Sequence, residues 1–249
     1  MKILYFDCFA GISGDMTIAS LLSHVDKEKF IENIKKIALE HFDIEIGVTQ
    51  KSTIAGNTFK VLFDEEHHHH HRHLKDVKEI IEKSDLEDEV KNMSIKMFEV
   101  IAEAEAKVHG KNLEEVHFHE VGAVDSIVDI LGTSILINMI KPDKIVSSYL
   151  PISNGFVKTQ HGMMPVPAPA TAEIIKGIPV YESSVKGENI TPTGAAIIKV
   201  FAQDFGGMPE MLIESVGYGA GSKDFEIPNL LRTYIGIETE KKSRNPKNY

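Results

Sequence analysis

The chain is poor in cysteine, in long apolar runs and in positive charge, and each shortage removes a class of protein. Its one cysteine, Cys8, has no partner for an internal disulfide and excludes a thiolate zinc site. A lone thiol fits a reducing, cytoplasmic compartment. No apolar run approaches the roughly eighteen residues of a membrane-spanning helix. The opening Met1 to Asp7 is too short and turns polar too soon for a signal peptide. The net charge of −10 argues against a nucleic-acid backbone as the main partner and favours cations. No Gly-Lys-Ser/Thr closes a P-loop, and no dinucleotide fingerprint is present. Internal repeats are absent.

What remains is an ordinary globular composition, 42% hydrophobic and 26% charged over 249 residues, enough for one large domain or two small ones. Periodicity predicts an α/β fold, with a mixed α+β arrangement as the alternative: a layered sheet with flanking helices. Residues 2–6 read as a buried strand, followed by a glycine loop and a helix to about Leu22. Lys27 to Leu39 carries a helical stripe. Two alternating runs, Ile44 to Val48 and Phe59 to Phe63, read as paired strands turning around Ala55-Gly56-Asn57. Leu74 to Lys83 and Leu86 to Val108 read as helices, the second capped by Ser84 or Asp85 and stopped by Gly110. Ile130 to Ile140 is strongly apolar. Lys144 to Leu150, Met211 to Val216 and Leu230 to Ile237 are strand-like.

Four stretches carry chemistry. The first is His117-Phe118-His119-Glu120-Val121-Gly122-Ala123-Val124-Asp125-Ser126-Ile127-Val128-Asp129. If His117 to His119 is extended, both imidazoles project to one side. If a helix begins near Asp125, Asp125 and Asp129 share one face. Such an N/O set suits nickel, zinc, manganese or iron. Read more plainly, Asp125 is an N-cap and Asp129 a charge serving the helix dipole. The second stretch, Asp7-Cys8-Phe9-Ala10-Gly11-Ile12-Ser13-Gly14-Asp15, joins strand to helix through glycines and offers backbone N–H groups to an anion. Asp7 and Asp15 there suit Mg²⁺ or Mn²⁺ held against a phosphate; a tight turn is the alternative. The third is the internal run His67, His68, His69, His70, His71 and His73, expected to be a mobile loop that collects borderline metals. The fourth is Thr191-Pro192-Thr193-Gly194, a helix start with two hydroxyls suited to a phosphate or carboxylate, or to plain capping. Three glycines in Gly217-Tyr218-Gly219-Ala220-Gly221 allow close backbone approach to a ligand.

Taken in order, the opening Phe6 to Met16 block, the histidine run, the His117 to Asp129 block, Pro167 to Glu173, Thr191 to Ala196 and Gly217 to Gly221 resemble the LarC-type nickel insertion proteins. The resemblance covers nearly the whole chain. It implies a cytoplasmic lyase-type insertase (cyclometallase) that places Ni²⁺ into pyridinium-3,5-bisthiocarboxylic acid mononucleotide, making the nickel-pincer cofactor of lactate racemase-type enzymes. Two Ni–S bonds and one Ni–C bond form, with CTP and Mn²⁺ or Mg²⁺ required. It further implies a homo-oligomer when full length, with an apo-racemase as recipient. His117, His119 and Glu120 then supply the ligands or base of catalysis. Asp7, Gly11, Ser13, Gly14, Asp15, Thr191 and Thr193 bind the nucleotide and its ion. The histidine run, His117, His119, Asp125 and Asp129 bind metal.

Family members of this kind continue with a C-terminal region associated with CTP. The expectation is therefore that residues 1–240 form the N-terminal nickel-insertion domain and that 241–249 are a basic tail or linker to that region or to a second chain. Two alternatives stay open. A nickel store or metallochaperone without catalysis would lose its metal capacity with the histidine run, whereas an insertase in excess nickel would not lose turnover. A divalent-metal phosphohydrolase would release phosphate from generic esters.

Overall fold

A computed structural model describes residues 1–63, 72–118, 123–159 and 162–239. The elements run β1 (Lys2–Asp7), α1 (Gly14–Leu21), α2 (Lys27–Ile34), β2 (Phe42–Lys51), β3 (Ile54–Phe63), β4 (Arg72–His73), α3 (Leu74–Lys83), α4 (Asp88–His109), β5 (His117–Phe118) and α5 (Val124–Ile140). The second half continues β6 (Lys144–Ser147), β7 (Leu150–Asn154), β8 (Phe156–Thr159), β9 (Gly162–Pro165), α6 (Pro169–Ile174), β10 (Val180–Lys186), α7 (Pro192–Phe201), β11 (Asp204–Phe205), β12 (Met211–Ala220) and β13 (Leu230–Glu238).

A seven-stranded sheet of order β11-β6-β1-β13-β12-β3-β2 organises the molecule. It is mixed: β1 runs parallel to β6 and antiparallel to β13. The α/β expectation therefore holds in its mixed form. Helices cover one face. The 17-residue helix α5 is apolar on nearly every side, with residues from Val124 to Ile140 buried all around it. A helix apolar all round belongs inside a core, and α5 packs between α1 and α4. A buried hydroxyl pair, Ser94 and Ser134, 2.9 Å apart, ties it to α4. Among the described residues no helix is long and apolar enough to cross a membrane.

Several local expectations shift, each because a long-range contact outbids local preference. The β2–β3 hairpin turns at Ser52 and Thr53, both left-handed (φ 47° and 72°), not at Ala55 to Asn57. Gly56 instead lies within β3, where a Cβ would come 2.8 Å from the Leu230 side chain. Ser84 does not open α4. Its hydroxyl donates to Ile80 O at 2.8 Å and accepts from Ala38 N at 2.9 Å, and Glu87 takes the cap position. Helix α7 stops at Phe201, not near Phe205, because the following residues join the sheet: Gln203 N donates to Ile145 O (3.0 Å) and Gly206 N to Ser147 O (2.9 Å).

The glycines between 217 and 221 serve the fold. Gly217 and Gly219 belong to β12, and α1 lies directly on them. A Cβ at Gly219 would stand 2.0 Å from Met16 O; one at Gly217 would stand 2.1 Å from Ser20 O. The close approach they permit is that of a helix, which sets the height of α1 and of the loop feeding it.

Candidate functional site

Three helix starts meet at one place. A cavity of about 380 Å³ is lined by Ser13, Gly14 and Asp15 at the start of α1, Asp125, Ser126 and Asp129 in the first turns of α5, and Thr191, Pro192 and Thr193 at the start of α7. Glu188 and, from β3, Phe59, Lys60, Val61 and Phe63 complete it. A smaller cleft of about 90 Å³ continues past Asp15 and Glu188 to Lys223 and Asn229.

Local sequence explains how these starts come so close. The loop after β1 is fastened to the segment before α7: Ile12 N donates to Asn189 O at 2.8 Å and Thr191 N to Ile12 O at 3.1 Å. Gly11, at φ 119°, has no room for a side chain, since a Cβ would fall 1.9 Å from Asn189 O. Gly194 gives α7 the same clearance over Ile12 O, at 2.3 Å. Gly14 lets the Asp129 carboxylate lie against the first turn of α1, where a Cβ would meet Oδ2 at 2.4 Å. Ser13 caps α1 in an extended conformation, and its hydroxyl donates to Asp15. Thr191 caps α7, its Oγ1 accepting from Gly194 N at 3.1 Å. The capping role and the cavity-lining role of Thr191 thus coexist. Asp125 is not a cap: Ala123 holds that position, and Asp125 sits inside the first turn with Oδ1 accepting from Ser126 N at 2.7 Å.

The carboxylates dominate the electrostatics. Asp125 is exposed at the mouth, whereas Asp15 and Asp129 are half-buried in the wall. All three are held above the usual carboxylate range. For Asp15 the cause is burial, partly offset by the Ser13 hydroxyl, backbone N–H groups and Lys223. For Asp125 it is burial and then the charge of Asp15, against bonds from Ser126. Asp129 is raised furthest, by burial and by both neighbouring aspartates, with nothing lowering it. Burial is the first cause of all three shifts. They agree: this concavity crowds negative charge, and a cation entering it would displace protons and relieve the repulsion.

Not every predicted residue comes to the cavity. Asp7 ends β1 as expected, but Arg232 holds its carboxylate from the neighbouring strand, Nε at 2.9 Å and Nη2 at 2.6 Å. Gly11 acts behind the cavity, in the loop packing. Cys8 is buried with its thiol pushed up to about 12 by burial, so it offers no thiolate. His73 and His117 lie opposite one another across the β4–β5 pair. His67, His68, His69, His70 and His71, with His119 and Glu120, lie outside the described residues. Among the described residues no three His, Cys, Asp or Glu groups are already arranged to hold a metal ion. Glu188, Lys60, Phe59, Phe63 and Lys223 line these cavities without any motif in the sequence to mark them. Only the alternation of β3 hinted at the phenylalanines.

Fold and cavity together define a mixed α/β protein with a carboxylate-lined cavity at three shared helix starts. Residues 4–248 match the Nickel insertion protein family, and the chain belongs to it. It is 48% identical over 261 residues to a pyridinium-3,5-bisthiocarboxylic acid mononucleotide nickel insertion protein of Clostridium kluyveri, covering 100% of this chain and 65% of that protein. The protein of the same name from Acetivibrio thermocellus is 48% identical over 251 residues, 97% of this chain and 62% of that one. The one from Geobacillus kaustophilus is 44% identical over 256 residues, 99% and 62%. The chain thus spans less than two thirds of the length of these relatives. No solved structure matches it.

Proposed function

We propose that this chain takes part in inserting nickel into pyridinium-3,5-bisthiocarboxylic acid mononucleotide, the molecule for which its relatives are named, and that mononucleotide and metal meet in the cavity between α1, α5 and α7. The observation that carries this reading is the convergence of three helix starts and three aspartates on one space of about 380 Å³. That volume is in the range of a small-ligand site. The start of α7, with Thr191 and Thr193, offers N–H and hydroxyl donors to the phosphate. Phe63 and Phe59 give one wall an aromatic surface for a pyridinium ring.

A Mn²⁺ or Mg²⁺ ion fits beside that phosphate. Such ions are commonly held by one or two carboxylates plus phosphate oxygens rather than by a complete protein cage. This agrees with carboxylates that are close but not arranged as a ready cage. Asp15, Asp125 and Asp129 would hold it, and it would supply neutralisation of the phosphate charge. Nickel is the cargo. When a Ni–C bond replaces a ring C–H bond, the proton needs an acceptor. His119 and Glu120 are the proposed acceptors; His117, in β5, is not among the residues that line the cavity.

CTP does not fit this cavity. Among the described residues that line it, a triphosphate would face Asp15, Asp125, Asp129 and Glu188, with Lys60 and Lys223 alone to answer them. Lys223 is already engaged by Glu188, Nζ to Oε2 at 3.0 Å. In this reading CTP is handled by the further region that makes the relatives longer. Residues 1–249 are accordingly expected to bind nickel but to release no CMP or pyrophosphate from CTP, measured by chromatography of the nucleotides. Adding that further region from a relative, in trans or by fusion, should restore nickel incorporation into the pincer nucleotide. Steady CTP turnover by this chain alone would sink the division of labour.

A further inference from the structure

Residues 221–229, between β12 and β13, form a loop tied at its base, where Gly221 N donates to Asn229 O at 3.0 Å. Within it the carbonyl of Lys223 is gripped from two sides. The buried amide of Asn229 donates to it at 2.8 Å, and Nζ of Lys51, at the end of β2, donates at 3.0 Å. Lys51 also holds the carboxylate of the next residue, Asp224, at 2.5 Å. The backbone that carries Lys223 is thereby fixed, as a side chain with a positional task requires. Its own side chain reaches across the small cleft, Nζ donating to Glu188 O at 3.2 Å and to Glu188 Oε2 at 3.0 Å. Glu188 is set as firmly, since its neighbour Asn189 accepts from Ile12 N at 2.8 Å and its side chain donates to Pro151 O at 2.9 Å. The lysine side chain is 46% exposed and the glutamate 14%, so the ammonium is the partner with room to turn. Ser13, Asp15, Glu188 and Thr191 line both the small cleft and the large cavity, so the pair stands where one opens into the other. The charge of Lys223 reaches Asp15 across that opening.

We propose that Lys223 is the residue that selects a phosphate monoester at this cavity, and that the Glu188 carboxylate holds its place until substrate arrives. Carboxylate and phosphate compete for one ammonium, which binds phosphate as a compact point charge on a flexible stem. A phosphate seated at the Thr191 start of α7 lies beside the small cleft and draws Nζ off Glu188. The cleft holds about 90 Å³. That is the space of about three waters at roughly 30 Å³ each, enough for one phosphate group and not for a chain of three. One phosphate asks for one ammonium beside its bridging cation, whereas a triphosphate asks for more than this lysine supplies. A nucleoside without phosphate leaves the pair closed. The inference rests on the reading of the cavity as a mononucleotide site and adds the group that recognises the phosphate.

The test is calorimetry of the full chain with nicotinic acid mononucleotide, a pyridinium ribose phosphate, at fixed ionic strength with Mg²⁺ present. Lys223→Gln should weaken binding about tenfold or more, the scale of a lost hydrogen bond to a charged group. The loop is fastened through the carbonyl of Lys223, so this change leaves its ties in place. Lys223→Arg, which keeps the charge, should recover most of the loss. Glu188→Gln should tighten binding several-fold by removing the competing carboxylate. Loss of any nearby negative charge would also favour an anion, so the coupling between the two residues decides. On the Lys223→Gln background, Glu188→Gln should gain less than about twofold. Parent binding that Lys223→Gln leaves within about twofold, or a Glu188→Gln gain that persists without Lys223, would overturn selection by Lys223 and leave the mononucleotide site standing. No binding of the mononucleotide by the parent or by Glu188→Gln would overturn that site and this inference together.

Discussion

Asp129→Asn is expected to abolish nickel incorporation into the pincer nucleotide while leaving the fold at least as stable as before. Asn has nearly the same shape and removes only the charge. In the metal-free chain that charge is a burden: burial and the charges of Asp15 and Asp125 hold the Asp129 carboxyl well above its usual range, and nothing lowers it. A folded-state pKa above the unfolded value means that the native state binds the proton more tightly. Its contribution to stability is then lost as pH rises from the ordinary carboxylate range, about 4, toward the raised folded value. At pH 7 the Asn variant should therefore melt no lower than the parent, and the difference should grow in its favour between pH 4 and pH 7. Added Mg²⁺ or Mn²⁺ should reverse the order, raising the melting temperature of the parent and not of the variant. Incorporation, assayed with the further region of a longer relative supplied, should fall by more than about a hundredfold, beyond the usual cost of an outer-shell change. A stability loss above about 2 kcal/mol at pH 7 would mark the carboxylate as a buried structural acceptor instead.

Much of this cavity was legible because helix starts are written locally. Gly14-Asp15 after a glycine loop, Asp125 ahead of the apolar stretch of α5, and Thr191-Pro192-Thr193 each announce a first turn, and each is found at one. That these three turns meet is a consequence of sheet order, which periodicity does not encode. Glu188, Lys60 and Lys223 arrive by register and loop packing alone, so no local signal could have named them. Asp7 shows the opposite case. Its position at a strand end was correct, yet β13 runs beside β1 in a register that sets Arg232 against it, and the ion pair turns a ligand-like aspartate into a fastening. The Gly217 to Gly221 stretch was legible as a place of close approach; which group approaches was decided by α1.

Gly219→Ala is expected to destabilise the protein by about 3 kcal/mol or more, the upper part of the range for overpacking a well-filled interior. The added methyl would lie 2.0 Å from Met16 O, 2.6 Å from Ser20 N and 2.9 Å from Met16 C. All three are backbone atoms of α1, so no side-chain rotation makes room and the helix itself must lift. Gly217→Ala should be comparable, since it meets Ser20 O at 2.1 Å and the Thr233 hydroxyl at 2.9 Å. Thr233 is itself tied to His24, Oγ1 to Nε2 at 2.9 Å. Gly221→Ala should cost less, because what it meets are the side chains of Asn229 and Met16, which can turn aside. Gly207→Ala, with nothing within 4 Å, should change stability by no more than about 0.5 kcal/mol. Denaturant midpoints at constant m-value read this order directly. The order also bears on the cavity, since α1 carries Ser13, Gly14 and Asp15 at its start and cannot lift from β12 without withdrawing them from Asp129 and from α7. A Gly219→Ala protein that still folds should therefore bind divalent cations more weakly in proportion to its lost stability, while Gly207→Ala binds as the parent does. Gly219→Ala within about 0.5 kcal/mol of the parent would mean that α1 does not rest on β12 at this height, and the converging geometry of the three helix starts would fall with it.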